Sequence, residues 1–149
     1  MTAHHLKFRN IHQDIQRASK QMRQGWGSLT ELEQKYRIIE WVSEACRIYQ
    51  IPQPDVIFQA NTDFYRHRNY GLLVGEIHLS KPSAITAWHE FRHHWQACKP
   101  DAWSGDEEID ARNWSLSLFH SVAPRTLRRL ATDGRVIHLD ANMQNRAVR

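Results

Sequence analysis

Apolar residues recur three or four apart between Ser28 and Tyr49 and again from Ala84 onward, while the stretch between them alternates. The first spacing predicts helix and the second predicts strand. Residues 1–24 are polar with scattered apolar positions (Leu6, Phe8, Ile11, Ile15, Met22), which predicts an irregular or helical N-terminal arm. Gly25-Trp26-Gly27-Ser28 breaks it. A strong helix is expected next, because Ser28…Glu31 and Thr30…Glu33 both have the capping-box spacing. Leu32, Tyr36, Ile39, Val42, Cys46 and Tyr49 make one apolar stripe along it, and Pro52 and Pro54 end it.

Val56-Ile57-Phe58 predicts a short strand, and Asn61 through Asn69 is polar and turn-like. Tyr70 to Leu79 is expected to be a strand or hairpin, broken by Gly71 and Gly75. Ser80-Lys81-Pro82-Ser83 is a helix-start signal, and that helix should run to about Cys98, where Lys99-Pro100 stops it. After a loop with Trp103 and Gly105, a further helix is expected over Asp106–Ser121. A short basic helix from Pro124 should end near Gly134, with a possible last strand at Val136-Ile137-His138-Leu139. The order predicts one α+β domain over residues 1–149, with an arm at 1–24 and a tail at 135–149. Its sheet should be small, mostly antiparallel and packed against helices.

The segment that carries chemistry is Trp88-His89-Glu90-Phe91-Arg92-His93-His94-Trp95, which contains H-E-x-x-H. Positions i and i+4 of a helix lie one above the other on one face, so His89 and His93 can present two imidazole nitrogens to one metal ion. Glu90, at the edge of that face, is placed to take a proton from a water at the metal. His94 is five residues from His89 and points elsewhere. A catalytic zinc site normally has three protein ligands and one open position. An acidic residue from Asp106-Glu107-Glu108-Ile109-Asp110 is the natural third ligand, at the start of the next helix. Some of these acids are also explained by the favourable interaction of negative charge with a helix N-terminus.

His89-Glu90-x-x-His93 followed by Glu108-Ile109-Asp110-Ala111 resembles the gluzincin pattern of metallopeptidases, H-E-x-x-H then E-x-x-A. It is most similar to the minimal gluzincins and to small SprT-like and IrrE-like proteases. The resemblance spans roughly residues 54–120. It implies a zincin-like fold, a bound zinc ion, peptide-bond hydrolysis and Glu108 as third ligand. Many members carry Asp or Asn after the Ala, where this chain has Arg112, so Asp110 and Glu107 stay open as alternative ligands.

The resemblance implies a protein or peptide substrate, with an oxyanion donor among Tyr70, His78, His120, Arg112 and Tyr65. Gly75, Glu76, Ile77 and His78 are the candidate substrate-binding strand, where an extended peptide would pair by strand addition. The alternative is an interior strand that buries Ile77 and Leu79. Trp88, Trp95 and Trp114 fit core positions.

Charge changes this picture only slightly. The net charge is +4, a basic balance that allows a nucleic-acid partner, and Arg125, Arg128 and Arg129 are the candidate basic cluster. A nucleic-acid-associated zincin, as in SprT-like proteases, or a non-catalytic binding module is the competing expectation. No stretch approaches the length of a membrane span, and the first residues lack the apolar run of a secretory signal, so a cytoplasmic location is expected. Cys46 and Cys98 are expected as free thiols rather than a disulfide.

Overall fold

A computed structural model describes residues 8–59, 61–69 and 73–133. Five α-helices and three strands follow in the order α1 (Gln13–Arg23), α2 (Glu31–Tyr49), β1 (Asp55–Phe58), β2 (Phe64–Asn69), β3 (Leu73–Leu79), α3 (Ala84–Cys98), α4 (Glu107–Val122) and α5 (Pro124–Thr132). The helix starts follow local chemistry. Thr30 and Glu33 form a full capping box on α2, Ser83 caps α3 through Thr86 N, and Asp106 caps α4 through Ile109 N. Gly25 and Gly105 adopt φ of +68° and +89°, left-handed turns that cost glycine little. Arg37 reaches back from α2 to the carbonyls of Gln21, Met22 and Gln24, satisfying the open C-terminal end of α1.

The sheet has strand order β1-β3-β2 and is mixed, with one parallel and one antiparallel ladder, rather than mostly antiparallel. The chain reverses direction between β1 and β2 and again between β2 and β3, so β3 returns parallel to β1 and inserts between the two. Asp63 pins the start of β2 to the end of β3 by accepting from Ser80 N and Ser80 Oγ at 2.7 and 3.1 Å. The expected turn over Asn61–Asn69 is thus corrected: six of those residues are a strand. Arg66 and His67 of β2 are exposed, so this edge strand lacks the apolar alternation that marks a strand in sequence. The possible strand at Val136–Leu139 lies outside the described residues, as do Tyr70 and Gly71.

A second correction concerns α2. Its buried face is Ile38, Trp41, Val42, Ala45 and Cys46, whereas Leu32, Tyr36 and Ile39 are 61%, 58% and 42% exposed. Val42 and Cys46 of the expected stripe are buried and Tyr49 packs against the core, but the stripe's first half is exposed because the buried face turns toward Ile38, Trp41 and Ala45. Trp41 packs edge-on against Phe91 and donates its indole N–H to Ser19 of α1. Trp88, Trp95 and Trp114 join it in the core as expected, together with Phe91. Helix α3 is therefore the central element, buried on nearly all sides, with the sheet, α2 and α4 around it. No described helix is long and apolar enough to cross a membrane.

Candidate metal centre

Helix α3 presents His89 and His93 on one face, their rings 5.0 Å apart and nearly perpendicular. The loop after Cys98 turns the chain back so that the first turn of α4 meets that face. There one Glu108 oxygen lies 2.8 Å from His89 Nε2 and the other 3.1 Å from His93 Nε2. Burial raises the Glu108 carboxyl, but the charge and hydrogen bonds of the two imidazoles outweigh it, leaving it below the ordinary carboxylate range. One ligand atom from each of the three residues lies within 4.8 Å of the others, near enough for the three side chains to hold one metal ion. Among the described residues His89, His93 and Glu108 form one group able to hold a metal.

The carboxylate of one alternative ligand is engaged elsewhere. Asp110 is buried and accepts from Arg92 Nε at 2.8 Å, Gln96 Nε2 at 2.8 Å and Arg9 Nη1 at 2.7 Å. Burial pushes the Asp110 carboxyl up, but these hydrogen bonds together hold it down at about 2. Glu107 is exposed and lines the same cavity, its backbone carbonyl accepts from Gln96, and its carboxylate is not part of the His89–His93–Glu108 group. Gln96 was not foreseen from sequence, although it sits three residues from His93 on the same helix. Its side-chain oxygen accepts from His93 Nδ1 at 2.9 Å, which turns His93 Nε2 toward Glu108. Arg92 lies 3.8 Å over the Trp95 ring, so its buried charge has an aromatic face and a carboxylate.

Glu90 is buried beside this group, and burial pushes its carboxyl up to about 8, with the Glu108 and Asp63 charges adding to the shift. It opens on a cavity of about 650 Å³ shared with His89, His93 and Glu108. Strand β2 contributes Phe64, Tyr65 and His67 to the lining, and the segment between α3 and α4 contributes Trp103.

The expected substrate strand is corrected by the sheet order. Gly75, Glu76, Ile77 and His78 belong to β3, which pairs with β2 on one side and, from Glu76 on, with β1 on the other. A peptide cannot add to a strand whose backbone groups already have partners on both sides, and Ile77 and Leu79 are fully buried, as the interior alternative required. His78 stacks on Phe64 with ring centroids 4.1 Å apart and bonds Glu76, away from the cavity. His120 stacks on Phe8 elsewhere, Arg112 does not line the cavity, and Tyr70 is outside the described residues. Of the oxyanion candidates among the described residues, Tyr65 alone lies in the cavity wall.

Tyr65 belongs to a directed chain. His94 is fully buried and donates from Nε2 to the Pro52 carbonyl at 2.7 Å. Burial favours its neutral ring, so its Nδ1 accepts from the Tyr65 hydroxyl at 2.9 Å. With its one proton so placed, Tyr65 accepts from His67 Nδ1 at 3.0 Å. The sequence around His67 carries no signal for this placement, because the segment has the polar composition of a turn. Scans of protein-family models and searches of curated proteins and of solved structures find no match for this chain.

Proposed function

We propose that this chain is a zinc-dependent peptidase in which His89, His93 and Glu108 hold the metal and Glu90 is the general base. The observation that carries the reading is the convergence of two imidazoles and a carboxylate on one point beside a buried glutamate in an open cleft. Zinc, when bound there, supplies an acidified water and polarises the carbonyl under attack. Glu90 takes the proton of the attacking water and hands it to the leaving nitrogen. Its burial suits the task, because a carboxylate shielded from bulk water takes up a proton more readily. Gln96 fixes the His93 ring, and the Asp110–Arg92 pair fixes Gln96.

The substrate is a peptide in extended form. Among the described strands β2 is an edge, and the same strand lines the cleft, so the peptide main chain pairs with β2 rather than β3.

The test is zinc content after dialysis against metal-free buffer, for the native protein and Glu108→Ala, followed by cleavage of a denatured protein mixture with Glu90→Gln as control. About one zinc per chain, lost in Glu108→Ala, together with cleavage abolished in Glu90→Gln, supports the reading. A native protein that takes up no zinc on reloading ends it.

A further inference from the structure

The cavity that holds the metal group is also lined by an imidazole that the proposed hydrolysis does not use. His67 lies on β2, is exposed, and lines the same cavity as His89, Glu90 and His93. Its orientation is set from inside the fold. The Pro52 carbonyl, the buried His94 ring and the Tyr65 hydroxyl form an unbroken series of hydrogen bonds that ends on His67 Nδ1. Nδ1 is thereby engaged, and Nε2 is the ring nitrogen left to meet a ligand.

The series passes directly over Gly75. A Cβ there would stand 2.5 Å from both His94 Nδ1 and the Tyr65 oxygen, closer than atoms in contact can approach. Glycine in the middle of a strand weakens it, and here it leaves the space through which Tyr65 reaches His94. The arrangement holds an imidazole at a fixed angle on the wall against which an extended peptide would lie.

We propose that His67 is a substrate-contacting residue, its Nε2 accepting a hydrogen bond from the main chain of the bound peptide, and that Tyr65 and His94 are the residues that position it. This rests on the peptidase reading above. The losses expected are those of one hydrogen bond, about threefold to tenfold in affinity.

The experiment measures binding of two probes to the zinc-loaded protein. Acetohydroxamate engages the metal alone, whereas N-acetyl-leucyl hydroxamate adds a peptide main chain that reaches the wall. His67→Ala is expected to weaken the peptide-like probe by about threefold to tenfold and leave acetohydroxamate unchanged. Tyr65→Phe, which keeps His67 and the ring of residue 65, should lose a similar factor, and His67→Gln should recover part of it. Nitrogen-15 spectra of the ring should show His67 protonated at Nδ1 in the native protein and a mixture of tautomers in Tyr65→Phe. Thermal melts confirm that each variant is folded. The proposal is overturned if His67→Ala changes neither probe, if it weakens both alike, or if native His67 carries its proton on Nε2. It is also overturned if the peptide-like probe binds the native protein no tighter than acetohydroxamate. A native protein that holds no zinc and binds neither probe removes the peptidase reading itself, a result distinct from any of these.

Discussion

The side-chain oxygen of Gln96 lies 2.9 Å from Nδ1 of His93, one turn further along α3. A histidine that binds a metal through one nitrogen is usually oriented by a hydrogen bond at the other, and loss of that partner costs about 10–100-fold in metal affinity. Gln96→Glu keeps the acceptor, although it gives up the amide that donates to Asp110 and Glu107. Gln96→Leu removes both. Zinc affinity, measured by competition with a chelator, is expected to fall much further in Gln96→Leu than in Gln96→Glu. Equal affinities in the two would show that the orienting bond is unimportant.

Glu90 should be dispensable for metal binding and needed for turnover. Glu90→Gln removes the base and retains the shape, so zinc content should stay near the native level while cleavage of denatured protein falls by about 10²–10⁴-fold. Cleavage that survives the substitution would move the base elsewhere.

Stability in acid should follow Asp110. Its carboxyl titrates near 2 in the folded protein, below its value in the unfolded chain, so the unfolded state binds more protons between the two. The stabilisation is complete above about pH 4 and fades as the pH falls toward 2. In urea melts, the native protein should lose stability over that window and Asp110→Asn should lose less. At neutral pH Asp110→Ala should cost about 3–5 kcal/mol, because it leaves the buried Arg92 charge without its carboxylate. A neutral-pH cost below about 1 kcal/mol would mean that water reaches Arg92 readily.

Gly75 and Gly27 make a matched pair. A Cβ at 75 meets Tyr65 and His94 at 2.5 Å, whereas one at 27 meets nothing within 4 Å. Gly75→Ala is expected to destabilise by about 1–3 kcal/mol and Gly27→Ala to be close to neutral, both read from the midpoint of chemical unfolding.

The exposed face of α2 supplies the last prediction. Leu32→Gln should change stability by no more than about 0.5 kcal/mol, while Ile38→Ala, at a fully buried position, should cost about 2–5 kcal/mol. The reverse order would restore the stripe through Leu32, Tyr36 and Ile39 as the core face.

What the chain determined by itself was local. The caps at Thr30, Ser83 and Asp106 and the stop at Lys99-Pro100 act within a few residues, so the starts and ends of α2, α3 and α4 could be placed from the sequence. The His89–His93 pair and its neighbour Glu90 were equally legible, because helical spacing alone puts them on adjoining faces. The tertiary structure decided whatever depends on partners distant in the chain. Which stripe of α2 is buried depends on Trp41 meeting Phe91 fifty residues later. Which strand is the edge depends on β3 inserting between β1 and β2, which leaves β2, with Phe64, Tyr65 and His67 in the cavity lining, as an edge of the described sheet. Asp110 and Glu108 are near neighbours of similar chemistry. Helix rotation turns one into the buried partner of Arg92 and the other to the two histidines, a choice that follows from packing α4 on α3 and not from composition.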